Sequence, residues 1–406
     1  MTPPLAAVAL AIAAIAAPAG AQPATAPATS AAPAADQPKP SPKAQAAIMA
    51  LQTAINADDT ANIPAKLAAA QAVANTPGDH YWVARLQLNA AIKSNNMTAA
   101  QQAIDAVAAS NALPASGVAE LYTQLGANYL KANQYDPAAA AFEKASSLAP
   151  NDSNAVLLIA QTRIKQGHNA DASAAIQRAI QMSKASGQKP SEDLYRNATA
   201  LAYQAKLPSS VGIARDWLIA YPSDDSWRNT LAIYRNLNGT DPDNVIDLLR
   251  LSTVTNAMQS ANDYEVYASK ELDQANYGEA KAAIDAGIAA GKLRAGDSDV
   301  AQLLAATRGK VPTAADLAAA EKGAAIPNAF LRVGDRYYAA GNYSKAAALY
   351  RQALAKGVES NLANLRLGEA LARSGDKAGA TAAFNAVSGT RGDLAKFWLV
   401  YLQTHA

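Results

Sequence analysis

AELYTQLGANYLKANQYDPAAAAFEKASSLAPND, residues 119–152, is the stretch that the rest of the chain repeats with variation. Apolar and small side chains recur at steps of three and four from Leu121 to Leu130, and again from Ala138 to Leu148. That spacing lays a single stripe along one face of a helix. Between the two runs lies KANQYD. Asn133 stands where a chain reversing between helices takes a left-handed residue, and Pro137 suits the first turn of a helix, where its missing N–H has no intrahelical partner. Pro150 then stops the second run. The stretch predicts two amphipathic helices joined by a tight turn.

Gly126 and Ala138 are twelve residues apart and fall where the two helices approach most closely, while Ala145, seven further on, leaves room for a neighbouring helix. Tyr122, Tyr129, Tyr135 and Phe142 fill the volume beside them. The pattern Tyr122-x-x-Leu125-Gly126-x-x-Tyr129, then Ala138-x-x-x-Phe142, then Pro150, resembles the tetratricopeptide (TPR) repeat, with Tyr for the leading Trp. The twelve- and seven-residue offsets return at Ala160, Ala172 and Ala179, at Ala268, Ala280 and Gly287, and at Gly334, Ala346 and Ala353; Gly368 and Ala380 keep the first of them. Worn copies occupy residues 43–109 (with Thr76-Pro77-Gly78-Asp79 read as a turn that ends the helical segment before it), 191–221 (with Trp217 at a normally small position) and 226–253.

The resemblance covers most of residues 44–390 and implies an all-α fold, an α-solenoid in which TPR-like helix-turn-helix repeats stack into a right-handed superhelix. Leu394, Phe397, Trp398, Tyr401 and Leu402 then read as one C-terminal helix capping its open end.

Composition agrees. Half of the 406 residues are hydrophobic but only 6% are aromatic, so much of the apolar content is Ala, which favours helix and close helix approach. Thirty-five basic against 33 acidic residues give a net charge of +2, with no Lys/Arg run to follow a phosphate backbone, which argues against a nucleic-acid partner. The absence of cysteine excludes disulfides, thiolate metal sites and a lipid-modified cysteine.

Residues 1–21, MTPPLAAVALAIAAIAAPAGA, read as a signal peptide with an apolar run from Leu5 to Ala17 and cleavage before Gln22. Pro18 and Gly20 weaken a membrane-spanning reading, so the expectation is a periplasmic or secreted chain with no stable membrane insertion after cleavage. Residues 22–43 form an Ala/Pro-rich linker, 44–290 an N-terminal array, 291–326 an irregular helical joint, and 327–406 the C-terminal repeats with their cap.

Chemistry is harder to find. His80, His168 and His405 stand apart from other ligands and read as solvated, there is no Gly-rich phosphate loop or nucleophile elbow, and no metal or cofactor is expected. Glu265, Glu271 and Asp273, on one helical segment, read as its wet face rather than as a glycosidase pair. The expected class is a non-enzymatic scaffold. The competing class is a relative of peptidoglycan-cleaving transglycosylases, some of which carry an Ala-rich superhelix beside a lysozyme-like domain.

In TPR proteins the second, fifth, ninth, twelfth and thirteenth places of each first helix line a concave groove that holds a protein or peptide partner. By that resemblance the groove includes Leu157, Gln161 and Lys165, then Tyr195 and Tyr203, then Leu331 and Tyr338, with Arg373 on the following repeat. The places used by chaperone-tail carboxylate clamps hold Thr123, Ala127, Leu158, Glu192 and Arg196, of which only Arg196 agrees. The expected ligand is an extended peptide or helix of modest charge.

Overall fold

The computed structural model describes residues 38–238 and 241–405; the expected signal peptide and most of the linker lie outside them. The described residues form twenty-one α-helices and no strand. They fall into two compact units divided after Leu207.

The first unit holds α1 (Pro42–Asn56), α2 (Ile63–Val73), α3 (Pro77–Lys93), α4 (Met97–Ala109), α5 (Ala115–Lys131), α6 (Tyr135–Leu148), α7 (Ser153–Lys165), α8 (Asn169–Ala185) and α9 (Glu192–Gln204). Each packs on its chain neighbour, as expected of stacked hairpins. The hairpin read from residues 119–152 is α5 and α6, and its reversal is made at Asn133 with φ 58°, as Gly167 makes the next with φ 76°. A methyl group on Gly126 would stand 2.6 Å from the Phe142 ring, so this is where the paired helices touch and why the place needs a small residue.

One local expectation fails in this unit. Thr76-Pro77-Gly78-Asp79, whose Pro-Gly reads as a loop, instead starts α3: Thr76 and Asp79 form a capping box, and Pro77 takes the first turn. Asp79 also accepts from Ser41 N at 2.6 Å and Ser41 Oγ at 2.9 Å, fastening the segment before α1.

The second unit holds α10 (Ser210–Ala220), α11 (Asp224–Asn238), α12 (Pro242–Val254), α13 (Ala261–Asp273), α14 (Tyr277–Ala289), α15 (Ser298–Thr307), α16 (Ala314–Gly323), α17 (Pro327–Ala339), α18 (Tyr343–Ala355), α19 (Ser360–Ser374), α20 (Lys377–Asn385) and α21 (Gly389–Thr404). The contact that makes the α5–α6 hairpin recurs, with Gly334 against Tyr350 and Gly368 against Phe384. The residues read as an irregular joint contain α15 and α16, the latter opened by a Thr313–Asp316 capping box, and α14 also packs directly on α17.

This unit differs from an open stack. α12 packs on α19 and α21, and α10 packs on α21, so its first and last helices meet. The expected capping helix is α21; Trp398 stacks on Phe384 of α20 at 5.7 Å, while Phe397 meets the Tyr234 ring of α11 edge-on, also at 5.7 Å. The Tyr234 hydroxyl lies 3.0 Å from the Thr390 carbonyl, and Arg391 pairs with Asp241 at 2.6 Å. Trp398 and Phe397 are wholly buried, so α21 is a central element covered on both sides.

Candidate functional site

The closure is made through charge. In the α12 sequence PDNVIDLLRLSTV, helical spacing puts Asp243, Asp247 and Arg250 on one face, while Val245, Ile246, Leu248, Leu249 and Leu251 supply buried apolar surface. Arg250 donates from Nε and Nη2 to the two Glu279 oxygens of α14, both at 2.7 Å, and from Nη1 to Glu369 of α19 at 3.2 Å. Arg366 of α19 reaches Asp243 at 2.9 Å, Asp247 at 3.1 Å and Asp335 of α17 at 2.9 Å. Tyr350 donates to Asp335 at 2.8 Å, and Tyr267 of α13 to Glu279 at 2.5 Å.

Two guanidiniums therefore face five buried carboxylates, those of Asp247, Glu271, Glu279, Asp335 and Glu369. The bidentate Arg250 contact overcomes burial at Glu279 and holds its carboxyl below the usual range. Burial, reinforced by the charge of Glu279 in one case and Asp247 in the other, pushes Glu271 and Glu369 well up, and burial also raises Asp247. Glu271 is thus not on a wet face: it accepts from Asn276 at 2.7 Å and is 1% exposed, while Glu265 is half-buried and Asp273 exposed. The backbone turns at Ala275 (φ 55°), which frees Asn276 to bridge Glu271 and Glu279.

Above this lattice lies a pocket of ≈ 140 Å³. Tyr264 and Tyr267 of α13, Tyr338 of α17 and Tyr343 of α18 supply its rings; Ala282, Ala283 and Ala286 of α14 leave it space, and Arg373 of α19 completes the lining. Arg250 stacks 4.4 Å from the Tyr338 ring centre, and Tyr338 meets Tyr343 edge-on at 5.1 Å. Arg373 lies 5.0 Å from the Tyr343 ring centre and donates to its hydroxyl at 2.9 Å.

Of the residues expected to line a groove, Tyr338 and Arg373 come together in this pocket, whereas Leu331 is buried and does not line it. Tyr338 is itself 8% exposed, because Arg250 lies against its ring. In the first unit Leu157 and Gln161 are half-buried on α7, Lys165 is exposed at its end, and Tyr203 is half-buried on α9. Tyr195 is buried, with the Lys184 amine 5.4 Å from its ring centre. His80, His168 and His405 are exposed, and no group of three or more His, Cys, Asp or Glu fit to hold a metal occurs among the described residues.

Residues 129–184 match one tetratricopeptide repeat family model and residues 331–392 another. The chain resembles the TPR proteins. TPR repeats are a protein–protein interaction scaffold. Similar solved structures include a TPR protein from Parabacteroides merdae, 16% identical over 72% of this chain and 100% of that one with TM-score 0.27. Another is PilF of Pseudomonas aeruginosa, 12% identical over 65% of this chain and 97% of that one with TM-score 0.24. A third is the TPR2AB domain of yeast Sti1 in its pHSP90 complex, 12% identical over 71% of this chain and 95% of that one with TM-score 0.26. No curated protein matches the sequence. The TPR match at residues 331–392 includes Tyr338, Tyr343 and Arg373, whereas α12 and α13, which bring Arg250, Tyr264 and Tyr267, precede it.

Proposed function

We propose that the protein is an exported, non-enzymatic adaptor that holds a peptide or protein partner on its helical repeats and serves in assembly of the cell envelope. The observation that carries the binding reading is the tyrosine-walled pocket of the second unit, open to solvent and built from aromatic and Arg side chains of the kind that dominate binding energy at interfaces. Export rests on residues 1–21, whose uncharged apolar run ends in the small triplet Ala19-Gly20-Ala21. On the same reading Leu157, Gln161 and Lys165 of α7 and Tyr203 of α9, half-buried or exposed, would offer the partner further contacts.

The test is site-specific photo-crosslinking in cells, with benzoylphenylalanine at Gln161, at Ala282 and at the exposed Lys144 of α6. The expected result is a discrete adduct from position 161 or 282 and none from 144. Adducts independent of position, or none from either binding face, overturn the reading. Fractionation of the same cells tests export: a full-length, uncleaved chain in the cytoplasm overturns it.

A further inference from the structure

On the reading that this unit binds a peptide, we infer that the partner segment carries an apolar side chain for the tyrosine pocket and, beside it, a carboxylate for Arg373. The room of ≈ 140 Å³ is close to the cavity size, about 150 Å³, that accepts a benzene ring in an engineered core, so it suits a single Phe, Leu or Met side chain. Tyrosine rings line it and Ala282 and Ala286 add small apolar surface, an environment in which an apolar side chain loses contact with water.

The charge of the partner follows from what is already satisfied. Arg250 is held by Glu279 and Glu369, and both Glu279 oxygens are taken. Arg373 is different. Among the described residues it has no carboxylate within salt-bridge distance, yet Tyr343 fixes its guanidinium through one hydrogen bond and one ring face. It is exposed, oriented and not neutralised.

The hydroxyls point the same way. Those of Tyr264 and Tyr338 have no hydrogen-bond partner among the described residues, and Tyr343 accepts from Arg373 and keeps its own proton to give. The wall offers donors and a cation with no free anion. A basic segment would meet Arg373 uncompensated, whereas an acidic one gains charge-assisted hydrogen bonds from a group that needs no reordering.

The probe is a set of short peptides, acetylated and amidated so that neither end is charged, with one 4-fluorophenylalanine and one Glu placed one, two or three residues to either side. Fluorine NMR titration against the full chain reads binding into the millimolar range. The expected result is that at least one spacing binds, and that Gln for Glu weakens it about tenfold or more. Arg373→Gln is expected to remove that difference, and Ala282→Phe, which fills the pocket from an exposed wall position, to abolish binding of both peptides with unchanged helicity. The inference is overturned if no spacing binds, if Glu and Gln peptides bind alike, or if either variant binds as the parent does. Photo-crosslinks at Gln161 or Ala282 that persist after such a result leave the adaptor reading standing with a different ligand class; their absence as well removes both.

Discussion

Replacing Arg250 with Met keeps much of the side-chain volume but deletes the charge that Glu279 and Glu369 share. Glu279 would lose two contacts of 2.7 Å and Glu369 one of 3.2 Å, while 0–5% exposure of the three side chains leaves little water to replace them. Breaking a buried pair from one side costs about 3–5 kcal/mol, chiefly through the carboxylate left unpaired. For a unit of this size each kcal/mol lowers Tm by about 2–4 °C, so the transition of the second unit should fall by roughly 6–20 °C. Differential scanning calorimetry of the full chain reads this directly. Arg250→Met with Glu279→Gln should recover a large part of the loss, because the orphaned charge goes with its partner. The deficit should also shrink at acidic pH, where the orphaned carboxyls protonate. A single variant melting within about 2 °C of the parent, or a double variant falling by the sum of two independent losses, would refute the argument.

The raised carboxyl of Glu271 gives a pH dependence of definite sign: its contribution is fully present below the ordinary Glu value of 4.5 and is lost as pH rises through the higher folded value. Glu271→Gln, which mimics the protonated form, should therefore raise Tm relative to the parent on the alkaline side and change little near pH 4–5, as checked by thermal melts across pH. Gly334→Ala would place a methyl 2.6 Å from the Tyr350 ring, an overpacking expected to cost about 1–3 kcal/mol in a urea titration. Gly212→Ala, whose nearest atom is 3.8 Å away on a flexible Arg215 side chain, is the control that should not destabilise.

The repeats were legible because their signals are local. Small residues at fixed offsets mark helix contacts within one hairpin, and the rings facing Gly126, Gly334 and Gly368 lie only sixteen residues further along. The start of α3 was misread because Pro-Gly punctuates loops as well as first turns, and only the Thr76–Asp79 box decides between them. The charge lattice was out of reach for another reason. Arg250 and Glu369 are 119 residues apart, and no periodicity connects them. What the sequence did contain was VIDLLRL, an apolar run interrupted by one acid and one base; such charges on a face that must be buried call for partners elsewhere. Tyr338 occupies a groove place of its repeat, but the helix that supplies Arg250 to its ring lies outside that repeat, so its burial was not visible from the repeat alone. Tyr195 and Tyr338 are consequently poor alanine targets, whereas Arg373 and Ala282 report on the pocket without opening the core.

An array whose helices touch only their neighbours can gain or lose a repeat at its end at small cost, because nothing distant takes notice. The second unit has given up that freedom. With Tyr234 beside Thr390 and Arg215 paired to Asp393, separations of 156 and 178 residues, its ends are bound to one another as in a closed ring of fixed membership. Removing the α17–α18 hairpin would take away Asp335, one of the three carboxylates that hold Arg366, and shortening the chain before α21 would strip the cover from α10 and α12 together. Variation by repeat duplication, the usual route by which such arrays change length, is closed to this unit; its pocket can change only residue by residue.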